Sequence, residues 1–304
     1  SHFQKLKLTL MKKYILNLAV FVLCLPAFAV TRKVPLQYAT IQAALNACVA
    51  GDVVLVDNGT YYEQLVWPNV LNVTLKSKSG NPDSVNVDGN NNYSTVLLTI
   101  SGGGLADKNA LISGITFRNG GRGADIIFSK AAFTNCSFLN NQTGYFSSAG
   151  AGMNCNNADV NIEKCNYLNN AVCSICSTYT VSGIALNIDG GSVRLKEASF
   201  TGNYMGAGNT YGIIKVNAAE LKLDRVIMKE NTVSHKFSFL KADRGIIFPL
   251  GMALYSENTN VSITNSLVAG NIANVLILSG SPDTALGEAI FFAGDQNSLN
   301  IQNT

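Results

Sequence analysis

Apolar residues along this chain recur in short alternating runs that close on asparagine. Cys136–Asn141 reads CSFLNN and Cys165–Asn170 reads CNYLNN. With the second asparagine of each pair as a register mark, further marks fall at Asn203, Asn231 and Asn271, with Gly120 in the same place. Three residues before the marks stand Phe117, Phe138, Tyr167, Phe200, Met228 and Val268. Five before stand Ile115, Cys136, Cys165, Ala198, Val226 and Ser266. Eight before stand Ile112, Phe133, Ile162, Leu195, Leu223 and Ile263, and ten before, Ala110, Ala131, Val160, Val193, Leu221 and Val261. The residues between these columns are mostly polar, and period-two alternation in short runs marks half-buried strands.

A further strand precedes these in the later repeats, around Met153, Leu186, Ile214 and Leu254, close behind Gly152, Gly183, Gly212 and Gly251. Each repeat therefore holds three short strands, none of which buries its apolar face alone. Stacking like residue over like residue gives them one continuous core. In-register stacking of three-strand coils is a parallel β-helix. Long coils without a hexapeptide rule favour the right-handed type, and the lack of amphipathic helices between strands excludes βαβ units. The segment from glycine to asparagine keeps a near-constant length, whereas the connection from asparagine to the next glycine does not. All length variation thus emerges at one corner, where insertions either line a binding face or drift as tolerated surface loops.

The chain from Tyr38 to Leu65 reads differently. Thr40–Cys48 is predicted as a short helix with Ile41, Ala44 and Leu45 as its apolar stripe, followed by a buried strand at Val53–Val56 and a turn at Asp57-Asn58-Gly59. Such a helix covers the open end of a solenoid. Further strands are predicted at Asn72–Lys76, Ser84–Val87 and Thr95–Ile100. The helix, then AGDVVLVDNGTYYE, VTLKSKSG, VNVDG and GITFRNG, resembles the start of pectin-lyase-like right-handed parallel β-helix proteins. The resemblance runs from about Val34 to the end and lies in the repeat pattern, not in a signature of function. The expected fold is all-β, a right-handed parallel β-helix over 30–304 with an N-terminal capping helix. Leu299, Ile301 and Thr304 match columns ten, eight and five before a mark that never comes, so the solenoid is expected to be truncated at its C-terminus.

Residues 1–29 do not fit this pattern. Met11-Lys12-Lys13, the apolar run Tyr14–Leu25 and Pro26-Ala27-Phe28-Ala29 have the order of a secretory signal with a cleavage site, behind an upstream leader. The apolar run is too short for a stable membrane span. A secreted or cell-surface location follows. Lys5, Lys7, Lys12 and Lys13 are four of the 22 basic residues, and without them the basic count falls just below the 19 acidic ones. The formal charge of +3 therefore gives no ground for a nucleic-acid partner. A monomer is expected.

The resemblance brings its own test, because sugar-cleaving members of that fold carry Asn-Thr-Asp, Gly-His-Gly and Arg-Ile-Lys motifs, or clustered acids for calcium with an arginine base. None of those motifs occurs here, and GIIKVN at Gly212–Asn217 has the lysine without the arginine. Asp83 and Asp88 lie in turn-rich sequence, so calcium has no clear site and no cofactor is expected. Glu163, Lys196 and Asp224 share one column and Lys164, Glu197 and Arg225 the next, which predicts alternating ion ladders in place of a catalytic acid–base pair. Binding candidates lie at the variable corner: Tyr145, Phe146, Tyr179, Tyr204, Tyr211, His235 and Arg244. Arg194 and Lys222 join them from one adjacent face. Aromatic faces with polar neighbours suit sugar rings, and the same residues also pack loops onto a coil. Cys173 and Cys176 are a candidate local disulfide, while in-register stacking leaves Cys136 and Cys165 as buried thiols whose Cβ vectors run parallel. The function expected is a non-catalytic adhesin or glycan-binding stalk. The alternative is a polysaccharide lyase or glycosidase acting on acidic polysaccharide, its site degenerate or in missing coils.

Overall fold

The computed structural model describes residues 7, 11, 29–102, 108–143, 150–172, 180–205, 209–237, 253–269, 271–277, 290–293 and 298–302. It divides the chain into Ser1–Val30 and Thr31–Thr304, and the coiled fold is the second unit. Almost all of the proposed leader and signal lies outside the described residues.

Strands stack on three faces, all of them parallel. The first face begins with Thr31–Val34, Val53–Val56, Thr74–Ser77, Ala110–Ser113 and Lys130–Thr134. It continues through the second halves of Met153–Glu163 and Leu186–Lys196 to Glu220–Asp224, Asn260–Thr264 and Ser298–Gln302. The second face carries Ser137–Leu139, Asn166–Leu168, Ser199–Thr201, Ile227–Lys229 and Leu267–Ala269 above the start of Thr116–Ile127. The third face carries the first halves of the two long strands, then Ile214–Asn217, Leu254–Glu257 and Ile290–Ala293. Each turn of chain returns to its own sheet by the right-handed crossover that parallel connections adopt.

Three differences from the sequence reading have local causes. The helix is Ile41–Asn46, two turns at most, because Thr40 is its N-cap and accepts from Ala43 N at 3.0 Å, while Ala47 closes it. The strand expected from Asn72 starts at Thr74, since Asn72 sits in the left-handed region at φ 58°. Ser84–Val87 and Thr95–Ile100 are parts of one strand, Val85–Ser101, that slips register on either side of Asn92. A fourth small sheet was not foreseen. Gln142–Thr143, Ala171–Val172, Tyr204–Met205, Thr232–Phe237 and Ile272–Ile277 pair directly after the asparagine marks, so the variable connection starts as a strand.

The helix closes the first coil by hydrogen bonds as well as by packing. Glu63 accepts from Ile41 N at 2.9 Å and Gln42 N at 2.8 Å, filling the donors that a helix start leaves open. The Gln42 side-chain amide donates to Val66 O and accepts from Val66 N, acting as one more strand at the edge of Leu65–Val66.

Inside, the predicted columns are stacked rungs. Phe117, Phe138, Tyr167 and Phe200 lie face to face with ring centroids 5.6, 4.8 and 4.5 Å apart. The asparagine pair divides its labour. Asn140 and Asn169 take left-handed backbone at φ 54° and 53°, turning the corner. Asn141, Asn170, Asn203 and Asn231 are fully buried behind them. Each donates from Nδ2 to the Oδ1 of the next asparagine, ending on Asn271, and to a carbonyl of the coil before.

Cys136 and Cys165 are buried free thiols, as in-register stacking required. Cys165 Sγ accepts from Cys136 N at 3.4 Å and donates to Glu163 O at 3.3 Å. Ser266, two coils beyond Ala198 in the same column, does the same with Val226 N and Thr264 O. At these two places the column thus satisfies a backbone N–H of the coil before.

Candidate functional site

The outward residues of the third face form an ordered polar row. Thr99, Asp125, Asn154, Asn187, Lys215 and Tyr255 are in register on successive coils. Asn154 Nδ2 donates to Asp125 Oδ1 at 2.7 Å, and Asn187 Nδ2 donates to Asn154 Oδ1 at 2.8 Å. Arg122 Nη1 donates to the other Asp125 oxygen at 2.8 Å, and its Nε donates to Gly150 O at 3.3 Å. Strand alternation points these side chains away from the core, yet Asn187 is only 8% exposed and Tyr255 4%. A second outward row runs beside it, where Asn217 Nδ2 donates to Asp189 Oδ1 at 2.8 Å and Tyr255 Oη meets Glu257 Oε2 at 3.3 Å.

The strands bearing these rows begin just after the connections of variable length. Carboxylates, amides and a guanidinium repeat there at the coil spacing of about 4.8 Å. They offer hydroxyl-rich ligands both donors and acceptors along one line. Both oxygens of Asp125 already accept from protein groups, which holds it as an oriented acceptor.

The first face carries the predicted cation pair and its neighbours. Arg194 and Lys222 are adjacent in register. Glu220 sits between them, 2.6 Å from Lys222 Nζ and 3.8 Å from Arg194 Nη2, and accepts from Ser192 Oγ at 3.1 Å. The Lys222 hydrogen bond, with that from Ser192, holds the Glu220 carboxyl below its ordinary value. The ion ladders form in part: Lys196 Nζ is 3.0 Å from Glu163, and Glu197 meets Arg225 at 2.9 Å and Lys164 at 3.9 Å, whereas Asp224 pairs with Arg225 of the next column at 3.0 Å.

Of the residues expected at the variable corner, Tyr204 is 40% exposed, on the strand Tyr204–Met205. Tyr211 lies on Asn209–Tyr211 and His235 on Thr232–Phe237, opposite Val275, with both side chains outside the described set. Tyr145, Phe146, Tyr179, Arg244, Cys173 and Cys176 lie outside the described residues altogether. Arg122, Asp125, Asn154 and Asn187 escaped the sequence reading. Their signal was present, because Asn154 and Asn187 directly follow the inward column at Met153 and Leu186. Among the described residues no three His, Cys, Asp or Glu gather as a metal-ligand set, and no helix is long and apolar enough to cross a membrane.

Three parallel stacks, an asparagine ladder and a capping helix make this a right-handed parallel β-helix with the pectin-lyase-like fold. No family model matches the sequence, and no curated protein does. Solved structures similar to it include a pectin methylesterase mutant in complex with a hexasaccharide, at 13% identity and a TM-score of 0.39 over 77% of this chain and 78% of that one. The pectin methylesterase from Aspergillus niger is 13% identical with a TM-score of 0.38 over 90% of both chains. An alginate lyase from Paenibacillus sp. is 12% identical, with a TM-score of 0.36 over 90% of this chain and 98% of that one. Similarity at this level transfers no residue of theirs to this chain.

Proposed function

We propose that this is a secreted or cell-surface β-helix that binds glycan without cleaving it, as an adhesin or stalk. The observation that carries the reading is the row Asp125–Asn154–Asn187 with Arg122, hydrogen-bonded in line at the foot of the variable connections. A sugar chain laid along the solenoid axis meets a carboxylate and then two amides on three successive coils. A glycan array followed by titration calorimetry tests it. Asp125→Ala and Asn154→Ala are expected to weaken binding about tenfold each, near the cost of one or two lost polar contacts. Binding untouched by both substitutions, or no binding across the array, overturns the reading.

Lyase or glycosidase chemistry is the competing reading, and Arg122 held against Asp125 is the arrangement that favours it. Unsaturated or shortened products from an acidic polysaccharide, lost in Arg122→Ala, would replace binding by turnover.

A further inference from the structure

A second surface, on a different face, has the shape and charge of a ligand site. The outer side of the first face is recessed between the coils of Asn72 and Arg194, leaving a groove of about 560 Å³. Its floor is low because Ala132 stands where neighbouring coils place Asn161 and Arg194, beside Leu111, which is 47% exposed. Asn72, Asn109 and Asn161 line it with amides, and Asn109 Nδ2 donates to Asn72 Oδ1 at 3.1 Å. Lys130 and Arg194 line it with positive charge, and Asp159 is the acid among the lining residues.

Arg194 is the loosely held cation of the groove. It stands 3.8 Å from a Glu220 whose carboxylate is already closed on Lys222 at 2.6 Å. An incoming carboxylate can therefore take the Arg194 fork in two-point contact without breaking a tight pair. The exposed Leu111 and half-buried Ala132 offer the C–H face of a sugar ring an apolar floor, while the amides answer its hydroxyls.

From this we infer that the first-face groove is a second carbohydrate site, selective for a carboxylated sugar chain and independent of the third-face row. Two glycan sites on separate faces would let one solenoid bridge two chains. The test titrates the full chain with a hexameric uronate oligosaccharide and with its methyl ester. The free acid is expected to bind about tenfold tighter than the ester, with an affinity that falls as salt rises. Arg194→Gln should remove that preference. Ala132→Trp, an outward substitution that fills the recess, should remove binding of both probes while the melting temperature holds. Asp125→Ala should leave uronate binding at this groove unchanged, so failure of the third-face reading and failure of this one are separable. Equal binding of acid and ester, uronate binding that survives both Arg194→Gln and Ala132→Trp, or no uronate binding by the folded chain overturns the inference.

Discussion

Asn170 is buried behind the corner that Asn169 turns. It donates to Phe138 O and Asn203 Oδ1 and accepts from both the backbone and the side chain of Asn141. Asn170→Ala leaves buried donors and an acceptor unpaired, so a loss of about 2–4 kcal/mol is expected in urea unfolding. Cys165 carries a smaller but similar duty. Cys165→Ser should be tolerated better than Cys165→Ala, because Ser266 shows that a hydroxyl fills the same role. Burial pushes the Cys165 thiol well above its ordinary value, and Cys155 likewise. Cys136 and Cys165 are both fully buried, so alkylation without reductant should label them in denaturant and spare them in the native chain. A disulfide between those two in the mass spectrum would contradict the stacked-thiol geometry. The inward residues of these rungs were legible in the sequence, since alternation alone separates core from surface. The first asparagine's part was not, because left-handed backbone at Asn140 and Asn169 leaves no hydrophobic signature.

At the scale of the strand and its corner, single left-handed residues set the bends. Lys164, Glu197 and Arg225 turn from the first face to the second at φ 55°, 54° and 53°, and Ala218 turns from the third to the first at φ 47°. A side chain in that conformation costs about 1–2 kcal/mol, which glycine avoids. Ala218→Gly is thus expected to raise stability by about 0.5–1 kcal/mol, read as a higher denaturation midpoint at unchanged slope. The sequence reading joined or split elements at these bends. Met153–Glu163 passes through one at Asn157, which drops out of the pairing while the strand continues beyond it, so two predicted strands become one. The small sheet behind the asparagine ladder stayed hidden for a related reason. Two-residue strands such as Gln142–Thr143 and Ala171–Val172 are too short to show a period, and only pairing with the coil above defines them.

Across the whole molecule, charge is arranged coil over coil. The Lys196 hydrogen bond holds the Glu163 carboxyl below its ordinary value of 4.5, and Lys222 and Ser192 act likewise on Glu220. A carboxyl whose folded value is depressed adds stability that is present above the ordinary value. That stability is lost as pH falls through the lowered one. The melting temperature should therefore hold above pH 4.5 and decline below it. The pair Glu163→Gln and Glu220→Gln should flatten part of that decline. An unchanged acid profile in the double variant would show that these surface pairs contribute nothing to stability.

Sequence alone determined the solenoid: its inward columns, its in-register stacking, its helical cap and the corner where length varies. Each of these follows from local alternation and from the need of a one-sided strand to bury its face against a like neighbour. Only the tertiary structure decided the two outward surfaces. Arg122, Asp125, Asn154 and Asn187 come from three coils, and Asn72, Lys130 and Arg194 likewise from three coils. Outward positions carry no burial signal, so their partners are set by which coil lies above which.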